Sequence, residues 1–279
     1  MKKKFLAMLL LVVAALGLVA CGSKDEESKE KSSDDSNVFR VGMEAGYPPF
    51  NWTQKDDANG AVKIDANKEY ANGYDVAIAK KIAEGLGKEL VIVKLKWDGL
   101  VPALQSKKID AIIAGMSPTE ERKKTIDFTD NYYTSDFVMV VKKGSKYENA
   151  TSIQDFAGAK VTAQLNTSHY GVIDQIKGVK KQTAMENFPV MRVALQSGKI
   201  DGYVSERPEG ISAAAANDDF TYTSFEEGFK ANPEDTAIAV GVRKGYDLTE
   251  DINKVLSSLS EEERQQIMED AVANQPAAQ

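Results

Sequence analysis

The chain has 279 residues, enough for one to three domains, and its 42% hydrophobic and 28% charged residues are the balance of a protein with real cores. Its net charge is −7, and loss of the first twenty residues, which hold Lys2, Lys3 and Lys4, would leave −10. An acidic body argues against nucleic acid as a partner. One cysteine, Cys21, excludes an intramolecular disulfide, and with a single histidine, His169, no Cys/His metal site can be assembled. No metal and no cofactor is expected.

The N-terminus reads as an address. Lys2–Lys4 are followed by sixteen apolar residues, Phe5–Ala20, the pattern of a secretory signal and too short for a comfortable membrane span. Residues 22–37 are polar and charged, contain no surface worth burying, and are expected to form a disordered tether reaching roughly 20–25 Å.

The body begins with a strand, Val38–Gly42. Tyr47-Pro48-Pro49-Phe50 is a rigid loop, because consecutive prolines forbid helix. Asp56–Asn72 is polar and reads as a surface hairpin or loop. Asp75–Glu84 has apolar residues at helical spacing and ends at Gly85 and Gly87. A strand (Leu90–Leu95), a helix (Leu100–Gln105) and a strand (Ile109–Ala114) follow. Ser117-Pro118-Thr119-Glu120 is a helix start with Ser117 as the cap and Glu120 in capping-box position. Phe137–Val141 is a strand. A second series runs from about Ser152: helix, strand Lys160–Ala163, helix from about Ser168, helix Glu186–Gln196, strand Ile200–Val204 and helix Pro208–Ala216. Thr236–Val242 is a further strand, and two helices close the chain, the last opened by Ser260 with Glu263 in capping-box spacing.

One phrase occurs twice. Ala103–Asp110 (A-L-Q-S-K-K-I-D) and Ala194–Asp201 (A-L-Q-S-G-K-I-D) differ at one position and lie 91 residues apart. Each closes a helix and enters a buried-strand run, so the chain is expected to hold two similar α/β lobes. Ligands in open α/β sheets sit beyond the carboxyl ends of strands. The strand-end residues Ala114, Gly115, Met116 and Ser117 in one lobe, and Ser205 and Glu206 in the other, would then face one cleft.

Several side chains in these loops suit a free amino acid. Arg122 offers a planar fork to a carboxylate. Gln164 to Ser168 lies between a strand and a helix, where the N–H groups around Thr167 and Ser168 favour an anion. Glu206 suits an ammonium. Glu44, Tyr47, Trp52 and Trp97 would build a side-chain pocket in which aromatic faces and a carboxylate attract a cation. Each has a plainer structural reading as well: a solvated helix face, a helix cap, a helix-start carboxylate or a half-buried aromatic. His169 has no partner pattern and reads as a surface helix residue.

These residues also carry a resemblance. Leu18-Val19-Ala20-Cys21 resembles the lipobox of bacterial lipoproteins, which implies a signal peptide at 1–20, a lipidated Cys21 and a tether at 21–37. V-G-M-E-A-G-Y-P-P-F (Val41–Phe50), W-D-G-L-V-P-A-L (Trp97–Leu104), I-D-A-I-I-A-G-M-S-P-T-E-E-R (Ile109–Arg122) and I-D-F-T-D-N-Y-Y (Ile126–Tyr133) resemble the polar amino acid substrate-binding proteins of ABC transporters. The resemblance implies an α/β, two-lobed, periplasmic-binding-protein-like type II fold, each lobe a mainly parallel sheet flanked by helices, with two hinge crossings. Lobe 1 would be 38–135 plus 237–275, and lobe 2 would be 136–236. It implies that Arg122 and Thr167 hold the ligand carboxylate and that Ser117 and Gly115 assist. It implies further that Glu206 receives the ammonium, Tyr47 and Trp97 sandwich the side chain, and Glu44 faces a distal cation.

Three departures from the family pattern are visible: a long Asp56–Asn72 segment, Gln164-Leu165 for Gln-Gly, and Glu206 for aspartate. The expected protein is a monomeric, non-enzymatic lipoprotein on the outer face of a Gram-positive cell membrane, delivering arginine, or lysine next, to an ABC permease. Glutamine, histidine or cystine are alternative ligands, and a dehydratase on the same fold or a surface interaction protein are rival functions.

Overall fold

The computed structural model describes residues 37–276, which belong to one compact unit. The expected signal peptide, lipidated Cys21 and tether fall on residues outside the described ones.

The chain opens with β1 (Val38–Met43), then β2 (Gly46–Tyr47), β3 (Asn51–Gln54), β4 (Val62–Lys63) and β5 (Tyr70–Asn72). Helix α1 (Tyr74–Gly85), β6 (Glu89–Lys94), α2 (Leu100–Gln105), β7 (Ala111–Ile112), α3 (Glu120–Lys123) and β8 (Asp127–Thr134) follow. The second series is β9 (Phe137–Lys142), β10 (Lys160–Thr162), α4 (Ser168–Val172), β11 (Lys180–Lys181), α5 (Phe188–Gln196), β12 (Gly202–Glu206), α6 (Arg207–Ala216) and β13 (Phe220–Thr223). The chain ends with α7 (Pro233–Thr236), β14 (Ala237–Val242), α8 (Thr249–Ser258) and α9 (Glu261–Asn274).

Two five-stranded sheets result, β6-β1-β7-β14-β8 and β11-β10-β12-β9-β13, beside a four-stranded sheet β2-β3-β5-β4. In each five-stranded sheet four strands run one way and one opposes them, β14 in the first and β9 in the second. Those two strands are the ones that receive the chain as it crosses between sheets, from β8 to β9 and from β13 to β14. The expected mainly parallel sheets and two crossings are therefore present. The Asp56–Asn72 segment forms the β4–β5 part of the small side sheet.

The repeated phrase makes the same structure twice. Asp110 donates its N–H to Arg40 O at 2.7 Å, and its carboxylate accepts the Arg40 N–H at 2.9 Å. Asp201 does the same with Lys160, at 2.8 and 2.7 Å. Ser106 and Ser197 each bond the carbonyl of the alanine three residues back, at 3.1 Å. The one position that differs is left-handed in both copies, φ +63° at Lys107 and +73° at Gly198. A left-handed residue with a side chain is strained, and glycine is not.

Several boundaries move. The ladder in the first copy is only Ala111–Ile112, although Ile109 and Ile113 stay fully buried. Helix α5 starts at Phe188 rather than Glu186, because the Asn187 side chain accepts the Val190 N–H at 3.0 Å and caps it. The helix expected from Ser152 is one 3-10 turn, Ile153–Phe156. Ser117 does not cap α3; Thr119 does, accepting the Arg122 N–H. The Ser117 hydroxyl is used elsewhere, donating to Asp235 O at 3.2 Å. The last helix is opened by Ser260 as expected, its hydroxyl accepting the Glu263 N–H at 3.1 Å.

The strain at Lys107 gives a direct test. Lys107→Gly should raise stability by about 1 kcal/mol, offset partly by glycine's entropy in the unfolded chain. Gly198→Lys should lower it by a similar amount; urea unfolding of both variants measures this.

Candidate functional site

A buried carboxylate sets the shape of the first sheet's cleft edge. Asp75, in the first turn of α1, is fully buried and pairs with no cation among the described residues. It accepts the Asn51 amide at 2.7 Å and the Tyr132 hydroxyl at 2.7 Å, and the Gly115 backbone also bonds to it. Burial pushes its carboxyl up to about 6, against these bonds. The Tyr74 and Asp75 N–H groups bond Pro49 O and Phe50 O. The Tyr47–Phe50 loop, α1, β8 and the strand-end loop at Gly115 are thus tied to one group. Gly115 has φ +60°, and a Cβ there would lie 2.7 Å from the Tyr47 ring. Only glycine lets the ring sit so close.

Tyr47 reaches across to the second lobe. Its hydroxyl donates to Glu206 Oε2, and its ring stacks on Phe188 with centroids 4.1 Å apart and planes 8° apart. Glu206 ends β12 at 1% exposure. Burial pushes its carboxyl up to about 8, with the neighbouring charge of Glu209 adding to the effect. His169 lies beside it, Nε2 2.8 Å from Glu206 Oε1, without hydrogen-bond alignment. The expectation that His169 is a surface residue is wrong: α4 packs it at 5% exposure against Phe137. Burial, and then the charge of Arg122, push its pKa down to about 3, so it is neutral.

Arg122 is half-buried at the same cleft. It donates to Ser117 O at 2.8 Å and Asn166 O at 3.0 Å, and its guanidinium lies over the Trp97 ring at 5.0 Å. Burial lowers its pKa to about 10, which leaves it charged. Glu44 stands at the end of β1, where the Gln164 amide donates to it at 3.0 Å. Burial raises its carboxyl to about 7, and Glu186 and Asp98 push the same way. Thr167 donates to Gln164 O at 2.7 Å. Ser117 and Ser168 both donate to Asp235 O at 3.2 Å, where α7 leads back to the first sheet. Ala114 and Met116 are buried in the strand-end loop, and Met116 O accepts the Ala239 N–H.

Twelve of the thirteen expected ligand-site residues thus lie in or directly behind this cleft. Trp52 does not. Asn51 points inward to Asp75, so strand alternation sends Trp52 to the other face of β3, where it lines a depression with Asn72, Ala77, Ile267 and Ala271. Tyr47 and Trp97 are both present, but Tyr47 stacks on Phe188 and Trp97 carries Arg122.

Sequence reasoning missed Phe188, Asn166 and the buried role of His169. Phe188 had a signal: it stands 91 residues after Trp97, the offset of the repeated phrase, so the two aromatics hold the same place in the two lobes. Asn166 bridges the lobes, its amide on Asp98 at 2.8 Å and its carbonyl on Arg122. Its φ of +56° is a conformation asparagine tolerates better than most residues.

The two lobes thus bring to one edge a half-buried arginine facing carbonyls, aromatic rings, and two carboxylates with no lysine or arginine ion pair among the described residues. The model of the bacterial extracellular solute-binding proteins, family 3, matches residues 39–272, and the chain belongs to that family. The arginine-binding extracellular protein ArtP of Bacillus subtilis is 29% identical over 93% of both chains. A probable histidine-binding protein of Campylobacter jejuni is 31% identical, over 90% of this chain and 91% of its own. An amino acid ABC transporter substrate-binding protein from Streptococcus pneumoniae, solved bound to L-arginine, superposes with a TM-score of 0.75 at 29% identity, covering 85% of this chain and 95% of its own.

Asp75→Ala would leave three buried donors unpaired, so it should cost about 3 kcal/mol or more of stability in urea unfolding. Loss of less than about 1 kcal/mol would show that the network does not hold these segments.

Proposed function

We propose that this chain is the lipid-anchored, ligand-capturing component of an amino acid ABC importer and takes a cationic L-amino acid, arginine before lysine. The supporting observation is the charge pattern of the cleft: Arg122 contacts only carbonyls and an aromatic face, while Glu206 and Glu44 have no lysine or arginine partner among the described residues. Arg122 takes the carboxylate, Glu206 the α-ammonium and Glu44 the distal cation, with Trp97, Tyr47 and Phe188 as walls. Arginine-named relatives and an arginine-bound neighbour support this choice. Lobes 38–135 plus 237–275 and 136–236 close on the ligand, since both contribute contacts. The chain acts as a monomer, held outside the cell membrane through Cys21, and hands the ligand to a permease. It binds and does not catalyse. Because a carboxamide already sits on Glu44, glutamine is the second reading.

Calorimetric titration of the refolded protein with arginine, lysine, histidine, glutamine and cystine tests this. Arginine should bind at sub-micromolar concentration. Arg122→Ala should abolish detectable binding, because the ligand carboxylate loses its charge partner. Glu44→Gln should weaken arginine about 10- to 100-fold, the loss of a charge-assisted bond worth about 1.5–3 kcal/mol, and leave glutamine nearly unchanged.

Acid should act in the same direction. The carboxylates that hold cations are Glu44, raised to about 7, and Glu206, raised to about 8. Both gain a proton as pH falls through those values, so arginine affinity should drop about tenfold or more from pH 8 to pH 6. Equal arginine affinity at both pH values, or tight glutamine binding with none for arginine, would overturn the cationic reading.

A further inference from the structure

We propose that Gln275 and Ser212 form a clasp between the lobes, outside the ligand cleft, that holds the closed form and slows ligand release. The inference deepens the proposed function and rests on the lobes closing over an amino acid.

The two partners belong to different lobes. Gln275 closes α9, which is fixed to the first lobe: Glu263 pairs with Lys81 of α1, and Arg264 donates to Asn131 O of β8 and to Leu256 O of α8. Ser212 lies in α6, which follows β12 of the second sheet and starts at Arg207, one residue after Glu206. Gln275 Nε2 donates to Ser212 O at 3.2 Å, and the Ser212 hydroxyl donates to Gln275 Oε1. Both ends of one carboxamide are thus spent on one residue of the opposite lobe.

Buried chemistry on the second lobe sets the direction of these bonds. Ser212 is fully buried, and its oxygen accepts Arg192 Nη2 at 3.0 Å. A guanidinium only donates, so the hydroxyl hydrogen is left for another acceptor, and Gln275 Oε1 supplies it. Arg192 is held in turn by Glu209, whose Oε1 accepts its Nε at 3.0 Å, its Nη2 at 2.8 Å and the Tyr203 hydroxyl at 2.9 Å. The Tyr203 ring meets Phe188 edge-on, and Phe188 stacks on Tyr47. One chain of contacts therefore runs from the wall of the ligand cleft to the end of α9.

Beside the clasp, α6 and α9 are not sealed together. Ile211, next to Ser212, is 37% exposed over a cavity of about 410 Å³ that Tyr133, Arg264 and Met268 also line. The joint is a pair of hydrogen bonds and not an apolar seam. Parting it leaves the Ser212 hydroxyl without its acceptor until water reaches it, and that cost resists opening. A ligand held by both lobes leaves through the open form, so the clasp acts on release.

The test is the release of radiolabelled arginine from the full chain into excess unlabelled arginine. Gln275→Ala should speed release about three- to tenfold, the loss of hydrogen bonds of ordinary net strength. Ser212→Ala should act in the same direction, and the double variant should be no faster than the faster single one, because each removes the same joint. Glu263→Gln is the control. It weakens the docking of α9 on α1 within the first lobe and should leave release unchanged, which a merely structural role for α9 would not. Gln275→Ala leaves the buried Arg192–Glu209 pair intact, so the result stands even if Ser212→Ala fails to fold.

Release from Gln275→Ala at the wild-type rate overturns the inference and leaves the transport reading standing. So does equal acceleration by Glu263→Gln, or a double variant in which the two effects multiply. Failure of arginine and the other candidate amino acids to bind overturns the reading of function and the clasp with it.

Discussion

The cleft depends on a carboxylate that never reaches it. Asp75 is buried without a counter-charge among the described residues and is held by an amide, a phenol and a backbone N–H drawn from three other segments. In a low-dielectric interior such a group is costly unless every lone pair is used, and a satisfied network is correspondingly rigid. The consequence is positional. Tyr47 lies against Gly115 because the loops carrying them are both fixed to Asp75. Tyr47 can then meet Glu206 and Phe188 of the other lobe. Remove the carboxylate and the first wall of the site has no fixed place.

The same reasoning explains why two lobes of different sequence present comparable edges. The duplicated phrase is a device for ending a helix and starting a strand. Its aspartate clamps the neighbouring strand through both main chain and side chain, as Asp110 does to Arg40 and Asp201 to Lys160. Six residues before each copy's serine-capped turn region begins its final helix turn, the chain carries a large aromatic, Trp97 or Phe188, at the same offset of 91. One supports the arginine, the other the tyrosine.

What was legible in the sequence was local or periodic. Helix α1, the two buried strand runs and the Ser260 cap follow from spacing and capping chemistry. Arg122, Glu206 and Glu44 are legible as strand-end and helix-start residues, and the structure brings all three to the edge where the lobes meet. The failures are non-local. Trp52 was assigned by composition, but its face is decided by the commitment of Asn51 to Asp75, a contact 24 residues away. His169 looked isolated because its partner, Glu206, comes 37 positions later and meets it only when α4 packs on β12. Local sequence makes Ser117 a cap before Pro118, whereas its hydroxyl is used on Asp235, 118 residues on.

The contacts that join the lobes bear on selectivity. Glu44 holds the amide of Gln164, Arg122 holds the carbonyl of Asn166, and Glu206 holds the phenol of Tyr47. A ligand using these groups exchanges bonds rather than adding them, so its net gain is a difference between what it brings and what it displaces. A ligand amide on Glu44 replaces one amide with another and gains little. A guanidinium or ammonium replaces a neutral donor with a charged one, and charge-assisted bonds are roughly twice as strong as neutral ones. The same exchange at Arg122 favours a carboxylate over a carbonyl. At Glu206 it favours an ammonium over a phenol. By this argument the proposed preference for arginine over glutamine does not require a tighter fit. It follows from the donors and acceptors that the protein already places on the proposed binding groups, each of them neutral and each of them outmatched by a formal charge.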